Sequence, residues 1–133
     1  MSEQRPRLSG PLPLLALTVL VFTALCAFGP AAVKVSWLTP TTHDFGDIGQ
    51  GKPVLFSFRL RNDGTEPLVI ENVRPACGCT TPDWPREAIA AGDTATITVT
   101  YNARTKGYFY KLVKVYFKGR SAAEKLYLEG YVL

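Results

Sequence analysis

Histidine occurs once and cysteine three times in the 133 residues, so most nucleophilic and metal chemistry lacks its usual side chains. A hydrolase triad needs a nucleophile, a histidine and an acid in one place. His43 is the sole candidate base; it stands beside Asp44, no nucleophile elbow surrounds it, and a lone histidine of this kind reads as a surface or hydrogen-bonding residue. Structural zinc wants four ligands, and Cys77, Cys79, His43 and generic carboxylates do not supply them. The glycine-rich stretch Gly46-Asp47-Ile48-Gly49-Gln50-Gly51 precedes no helix start, so it reads as turns with positive φ rather than a phosphate loop. Basic runs are missing too. The net charge of +4 is spread along the chain, which describes a solvated surface and not a nucleic-acid interface. These absences predict a protein that is not an enzyme and holds no obligatory cofactor.

Charge of either sign is missing from residues 8–33, and Leu12 to Phe28 is mostly Leu, Val, Ala and Phe. As a helix this uncharged run would reach roughly 39 Å, enough to cross the hydrocarbon of a bilayer. Arg5 and Arg7 precede it, so the positive-inside rule leaves the N-terminus in the cytoplasm and the remainder outside. The segment reads as an uncleaved transmembrane anchor or as a signal peptide, for which Ala24-Leu25-Cys26 before Ala27 is a passable cleavage site. Lipidation at Cys26 is disfavoured by the bulky Leu25 ahead of it. Residues 1–33 thus form a basic end plus anchor or signal. Residues 34–133 form the exported domain, single-pass at the cell membrane, or periplasmic or secreted after cleavage.

No amphipathic helix follows residue 33. Short β-branched and aromatic runs alternate with Gly, Asn, Asp and Pro, the signal for an all-β sandwich or barrel. Val33 to Trp37 opens the series, and His43 to Gly46 makes a short segment. Val54, Phe56, Phe58 and Leu60 point one way while Ser57, Arg59 and Arg61 point the other, because a pleated strand alternates faces with period two. Asn62-Asp63-Gly64 reads as a turn with glycine at positive φ. Leu68 to Ile70 follows, and Val73 leads into a constrained loop from Arg74 to Pro85, with Trp84 as a packing plug. Ala95, Ile97, Val99 and Tyr101 form the next inward row, then come a turn at Asn102 to Gly107 and strands over Tyr108 to Phe117 and Lys125 to Val132. Leu126, Leu128 and Val132 mark the last buried row. About seven strands in about 100 residues suit an immunoglobulin-like antiparallel β-sandwich. No two cysteines lie far enough apart to bridge its sheets, so the likeness is one of architecture.

The order His43-Asp44-Phe45-Gly46, Phe56-Ser57-Phe58, Asn62-Asp63-Gly64-Thr65-Glu66-Pro67-Leu68, Cys77-Gly78-Cys79-Thr80 and Ala91-Gly92-Asp93 resembles the bacterial domain-of-unknown-function family 1573. Ala91 stands where that pattern would place proline, a departure that touches loop rigidity. The resemblance spans residues 43–132. It implies an exported module with an immunoglobulin-like fold and brings no activity with it.

Cys77-Gly78-Cys79-Thr80 is the one place where chemistry concentrates. In an extended strand the two cysteine Cα atoms would lie nearly 7 Å apart, at the edge of disulfide geometry. Gly78 lets the backbone fold tighter. The pair has three readings: a structural element of the loop (reduced and buried, or an intraloop disulfide), a redox or metal site, or a disulfide to a partner. Two thiolates one residue apart suit Cu(I) among the soft ions, so copper is the one metal to entertain at Cys77 and Cys79. Tyr108, Tyr110, Tyr116, Tyr127 and Tyr131 fall on adjacent strands and suggest an aromatic face. The predicted function is a membrane-anchored or exported, non-catalytic binding or structural module of the bacterial envelope. Its membrane contact is the N-terminal helix, and its partner is an envelope protein. The alternative is a thiol-redox or copper-handling protein centred on Cys77 and Cys79.

Overall fold

A computed structural model describes Gly10 and residues 29–133. The predicted anchor or signal segment lies almost entirely outside the described residues. Among the described residues, no helix is long and apolar enough to cross a membrane. The chain divides after Pro30, and the unit Ala31–Leu133 carries the fold.

Eight strands build two four-stranded sheets. They are β1 (Val35–Trp37), β2 (Thr42–Ile48), β3 (Val54–Asn62), β4 (Ile70–Pro75), β5 (Thr80–Asp83), β6 (Thr94–Tyr101), β7 (Gly107–Phe117) and β8 (Glu124–Val132). One sheet has the order β1-β3-β6-β5 and the other β2-β8-β7-β4. The immunoglobulin plan puts strands A, B, E and D on one sheet and C, F and G on the other. The observed orders follow it with the first strand split between sheets. Leu38 N–H still donates to Arg59 in the first sheet, while Thr41 C=O already accepts from Tyr127 in the second. Pro40 lies between them and has no N–H to offer either ladder.

Two features of the strand layout differ from the sequence reading. The expected sandwich was purely antiparallel, yet β2 runs parallel to β8. Parallel neighbours need a long connection, and here that connection is nearly the whole domain, so no local turn announces it. The constrained loop also contains a strand, since β5 pairs with β6 through Thr80–Tyr101 to Asp83–Thr98. Pro82 is tolerated because β5 is an edge strand, where one side of the ladder goes unpaired.

The inward rows pack as their periodicity requires. Phe58, Leu60, Ile97, Val99, Val113, Val115, Leu126, Leu128 and Val132 are all fully buried, each stabilising the fold by about 1.5–3 kcal/mol. Trp84 packs against this core, as its reading as a plug required, and the Arg86 guanidinium lies 3.7 Å over its ring. His43 differs from its reading as a surface or hydrogen-bonding residue. It is half-buried, stacked on Phe56 at 3.8 Å between centroids and met edge-on by Phe45 at 4.6 Å.

Asn62 is buried and ties three segments together. Its side-chain N–H groups donate to Glu66 C=O at 2.8 Å and Ile89 C=O at 3.0 Å, and its Oδ1 accepts from Gly64 N–H at 2.9 Å. Leu68 and Ile89 bond reciprocally beside it. Gly64 was expected to supply positive φ, but it is not among the residues with positive φ. Its role is space: a Cβ there would meet Asn62 Oδ1 at 3.1 Å. Gly46 and Gly51 do have positive φ, at 65° and 70°, as the turn reading required.

Tyr101 is 3 % exposed, and burial pushes its phenol above the ordinary tyrosine value. A raised pKa favours the protonated form in the fold. Its contribution is therefore intact below about pH 10 and lost as pH rises beyond that. Urea melts at increasing alkaline pH should show falling stability, and Tyr101→Phe should flatten that slope.

Candidate functional site

Two places on the sandwich could do work, a disulfide loop at the β4–β5 connection and an aromatic face on the outside of the second sheet. The loop crosses from one sheet to the other. Ala76 N–H donates to Leu112 C=O of β7 at 2.9 Å, and Cys79 C=O accepts from Asn102 N–H after β6 at 3.0 Å. Between these anchors the chain turns, with Thr80 N–H donating to Cys77 C=O at 3.4 Å. The turn brings the cysteine Cα atoms to 5.3 Å, and the two sulfurs are bonded. That separation falls well inside the usual disulfide range. The structure draws an intraloop disulfide, a state that both the structural and the redox reading allow.

Cys79 packs against the core beneath the loop. Thr80 is 3 % exposed, and its hydroxyl lies 3.6 Å from the Cys79 sulfur and 3.8 Å from that of Cys77. A copper ion would fit only the reduced pair, because thiolates are the ligands and a disulfide offers none. Among the described residues, no group of three or more His, Cys, Asp or Glu gathers in a metal-binding arrangement. His43 sits on β2, at the far edge of its sheet from β4, and so does not join the cysteines.

The aromatic face follows from strand parity. The register pairs Tyr108 with Tyr131, Tyr110 with Glu129, Leu112 with Tyr127 and Lys114 with Lys125 across β7 and β8. Cross-strand partners share a face, and since Leu126 and Leu128 point inward, this set points outward. Tyr108, Tyr110 and Tyr131 are 66 %, 51 % and 49 % exposed. Tyr110 and Tyr127 stack diagonally at 5.0 Å, and Tyr108 donates its hydroxyl to Glu129 at 2.8 Å. The hydrogen bond to Glu129 is the largest cause of an upward shift in the Tyr108 phenol; desolvation and neighbouring negative charge add to it. Tyr110 shifts upward through desolvation and then through Tyr127 and Glu129.

The sequence reading brought the tyrosines to one face but missed their carboxylates. Glu129 was legible, being two residues from both Tyr127 and Tyr131. Asp44 and Asp47 were not. They line a hollow of about 190 Å³ with Tyr108 and Tyr131 only because β2 lies alongside β8 and bulges at Gly46. The face is polarised. Its other end carries Arg74 and Lys114 around Tyr116, with one carboxylate, Glu71, beside them and the Arg74 guanidinium 5.5 Å from that ring.

The fold defines an immunoglobulin-like β-sandwich module. Similar structures include a protein of unknown function from Porphyromonas gingivalis W83, with TM-score 0.62 and 17 % identity over 83 % of this chain and 50 % of that one. The human CEP192 ASH/PapD-like domain gives 0.58 at 12 % identity, covering 100 % of this chain and 98 % of that domain. The secreted serine protease VesC from Vibrio cholerae gives 0.58 at 14 %, covering 76 % and 23 %. The chain therefore spans about half of the Porphyromonas protein and about a quarter of VesC, and at these identities the likeness shows the fold alone. Residues 37–132 match the family described as "Protein of unknown function (DUF1573)", and the chain belongs to that family. No curated protein matches the sequence.

Proposed function

We propose that this chain is a non-catalytic binding module of the bacterial envelope, held at the membrane or exported by its N-terminal segment, with the tyrosine face of β7 and β8 as its docking surface. The observation that carries this reading is the exposure of Tyr108, Tyr110 and Tyr131 on one side of one sheet. Tyrosine contributes large rigid contact area at low entropic cost and is enriched where proteins meet. The charges favour a protein partner. Carboxylates flank one end of the face, and the like-charged pair Lys114–Lys125 stands directly opposed at the other, an arrangement that acidic groups of a partner would relieve. The uncharged stretch from Leu8 to Val33 supports the location.

The test is a photoreactive residue at position 110 in living cells. The expected result is one discrete adduct with an envelope protein, lost in a Tyr108→Ala, Tyr131→Ala double variant whose melting temperature stays within about 3 °C of the parent, as exposed substitutions should. Adduct formation unaffected by both substitutions would remove the face from the binding reaction. A second measurement reads the chemistry of the face. Glu129→Ala should bring the alkaline titration of Tyr108 back toward the ordinary value, followed by phenolate absorbance.

A further inference from the structure

We propose that the Cys77–Cys79 disulfide is a dithiol–disulfide exchange centre, with Thr80 as a catalytic residue whose hydroxyl donates to the departing sulfur as it takes up negative charge. Two polar residues are buried among the described residues, Asn62 and Thr80. Asn62 satisfies its amide on three backbone groups. For the Thr80 hydroxyl, the hydrogen-bond partners among the described residues are the two sulfurs. A sulfur in a disulfide accepts weakly, whereas a thiolate accepts strongly. The hydroxyl thus gains little in the resting state and much as the bond breaks, which is the differential stabilisation that accelerates a reaction. Packing alone would be served equally by valine, which matches threonine in shape and favours strands.

The loop also separates the roles of its two sulfurs. Cys79 packs against the core and lies nearer the hydroxyl, at 3.6 Å. Both cysteines are half-buried, but Cys77 is not among the residues packed against the core, and the space beside exposed Gly78 next to it is open, with no atom within 4 Å of where a Cβ would stand. An incoming thiolate therefore attacks the Cys77 sulfur. A new S–S bond forms there, the Cys77–Cys79 bond breaks, and its electron pair leaves on Cys79 as a thiolate held by Thr80. The second thiol of the same dithiol, once deprotonated, attacks the mixed disulfide and releases Cys77. Two electrons and two protons pass from the dithiol to the cysteine pair, and the dithiol departs as a disulfide. The substrate class is a small dithiol in the forward direction and its disulfide in reverse.

The test uses the full chain in detergent, with peptide mass spectrometry to separate Cys77 and Cys79 from Cys26. Dithiothreitol should reduce the pair in the folded protein. Thr80→Val should slow that reduction about tenfold, the scale of one hydrogen bond to a charged group, and Thr80→Ser should restore most of the rate. Glutathione with iodoacetamide present should leave glutathione on Cys77 and alkylate Cys79. That last readout uses the unaltered protein and does not depend on how the variants fold. Equal rates with valine, failure of serine to restore the rate, glutathione on Cys79, or reduction only after unfolding would each overturn the proposal.

Discussion

Replacing Asn62 by alanine is expected to destabilise the sandwich by about 3 kcal/mol, a fall in Tm on the order of 15 °C for a domain of this size. The effect is large because the amide serves three backbone groups, Gly64 N–H, Glu66 C=O and Ile89 C=O, and alanine serves none. Ile89 is itself buried, and its carbonyl would keep the Leu68 N–H but lose its second donor. The same side chain closes the β3–β4 connection and holds the Leu68–Ile89 bridge, so the damage spreads beyond one turn. Asn62→Asp sharpens the point. A carboxylate can still accept from Gly64 N–H, but it sets oxygen against the oxygens of Glu66 and Ile89. Burial and those carbonyls raise the pKa of such an acid, so its fold is favoured by protonation. Stability of this variant should therefore rise as pH falls through the raised value, where ordinary paired carboxylates lose theirs. Asp63 is the control one residue on. It pairs with Arg61 at 2.6 Å and accepts from Ser36, but the Arg61 and Asp63 side chains are 48 % and 31 % exposed, so its removal should cost under about 1 kcal/mol. Urea denaturation of residues 31–133 produced alone measures all three.

The contrast between Asn62 and its neighbours shows what a period-two reading can reach. Inward rows such as Ile97, Val99 and Tyr101 are legible because each residue's fate depends on its own polarity and on parity along one strand. Asn62 sits at the end of such a row, where a polar residue looks like the start of a turn. Its burial depends on Ile89, 27 residues away, which no local pattern reveals. The same limit applies to β5, whose four residues include Pro82 and are defined only by pairing with β6. Lys111 breaks the inward row of β7 at the position opposite Leu128 and stays half-buried there, its aliphatic stem able to line apolar surface while the ammonium reaches water. At the candidate site, parity assembled the tyrosines, whereas Thr80's hydroxyl found the sulfurs only through the turn that follows Cys77. Motif membership had marked Thr80 without giving it a task.

Gly130→Ala should be the most damaging single-methyl addition among the glycines, with a loss of about 3 kcal/mol, at the upper end of the overpacking range. A Cβ at this position would stand 2.8 Å from Phe109 Cζ, 2.9 Å from Phe109 Cε1 and 2.9 Å from the Gly46 carbonyl oxygen. Gly130 falls in the inward row between Leu128 and Val132, and the phenyl ring of its cross-strand partner Phe109 lies over it in place of a side chain. The ring is held from beyond by Tyr101, stacked at 4.1 Å, and so cannot swing aside without disturbing β6. Gly46 presses from the opposite flank, where its φ of 65° shapes the bulge that resets the β2–β8 register between Asp44 and Asp47. The two obstacles can be told apart. Phe109→Leu removes the ring and should cost about 1–2 kcal/mol alone. Combined with Gly130→Ala, it should recover only part of the loss, because the Gly46 carbonyl is backbone and stays. The unrecovered part should appear as faster amide hydrogen exchange in β2, with β7 and β8 still protected, since β2 is the edge strand that can yield. Full recovery in the double variant would mean that the ring alone excludes the methyl group and that the β2 bulge is free to move away. No loss from Gly130→Ala would deny the close approach of the three strands altogether.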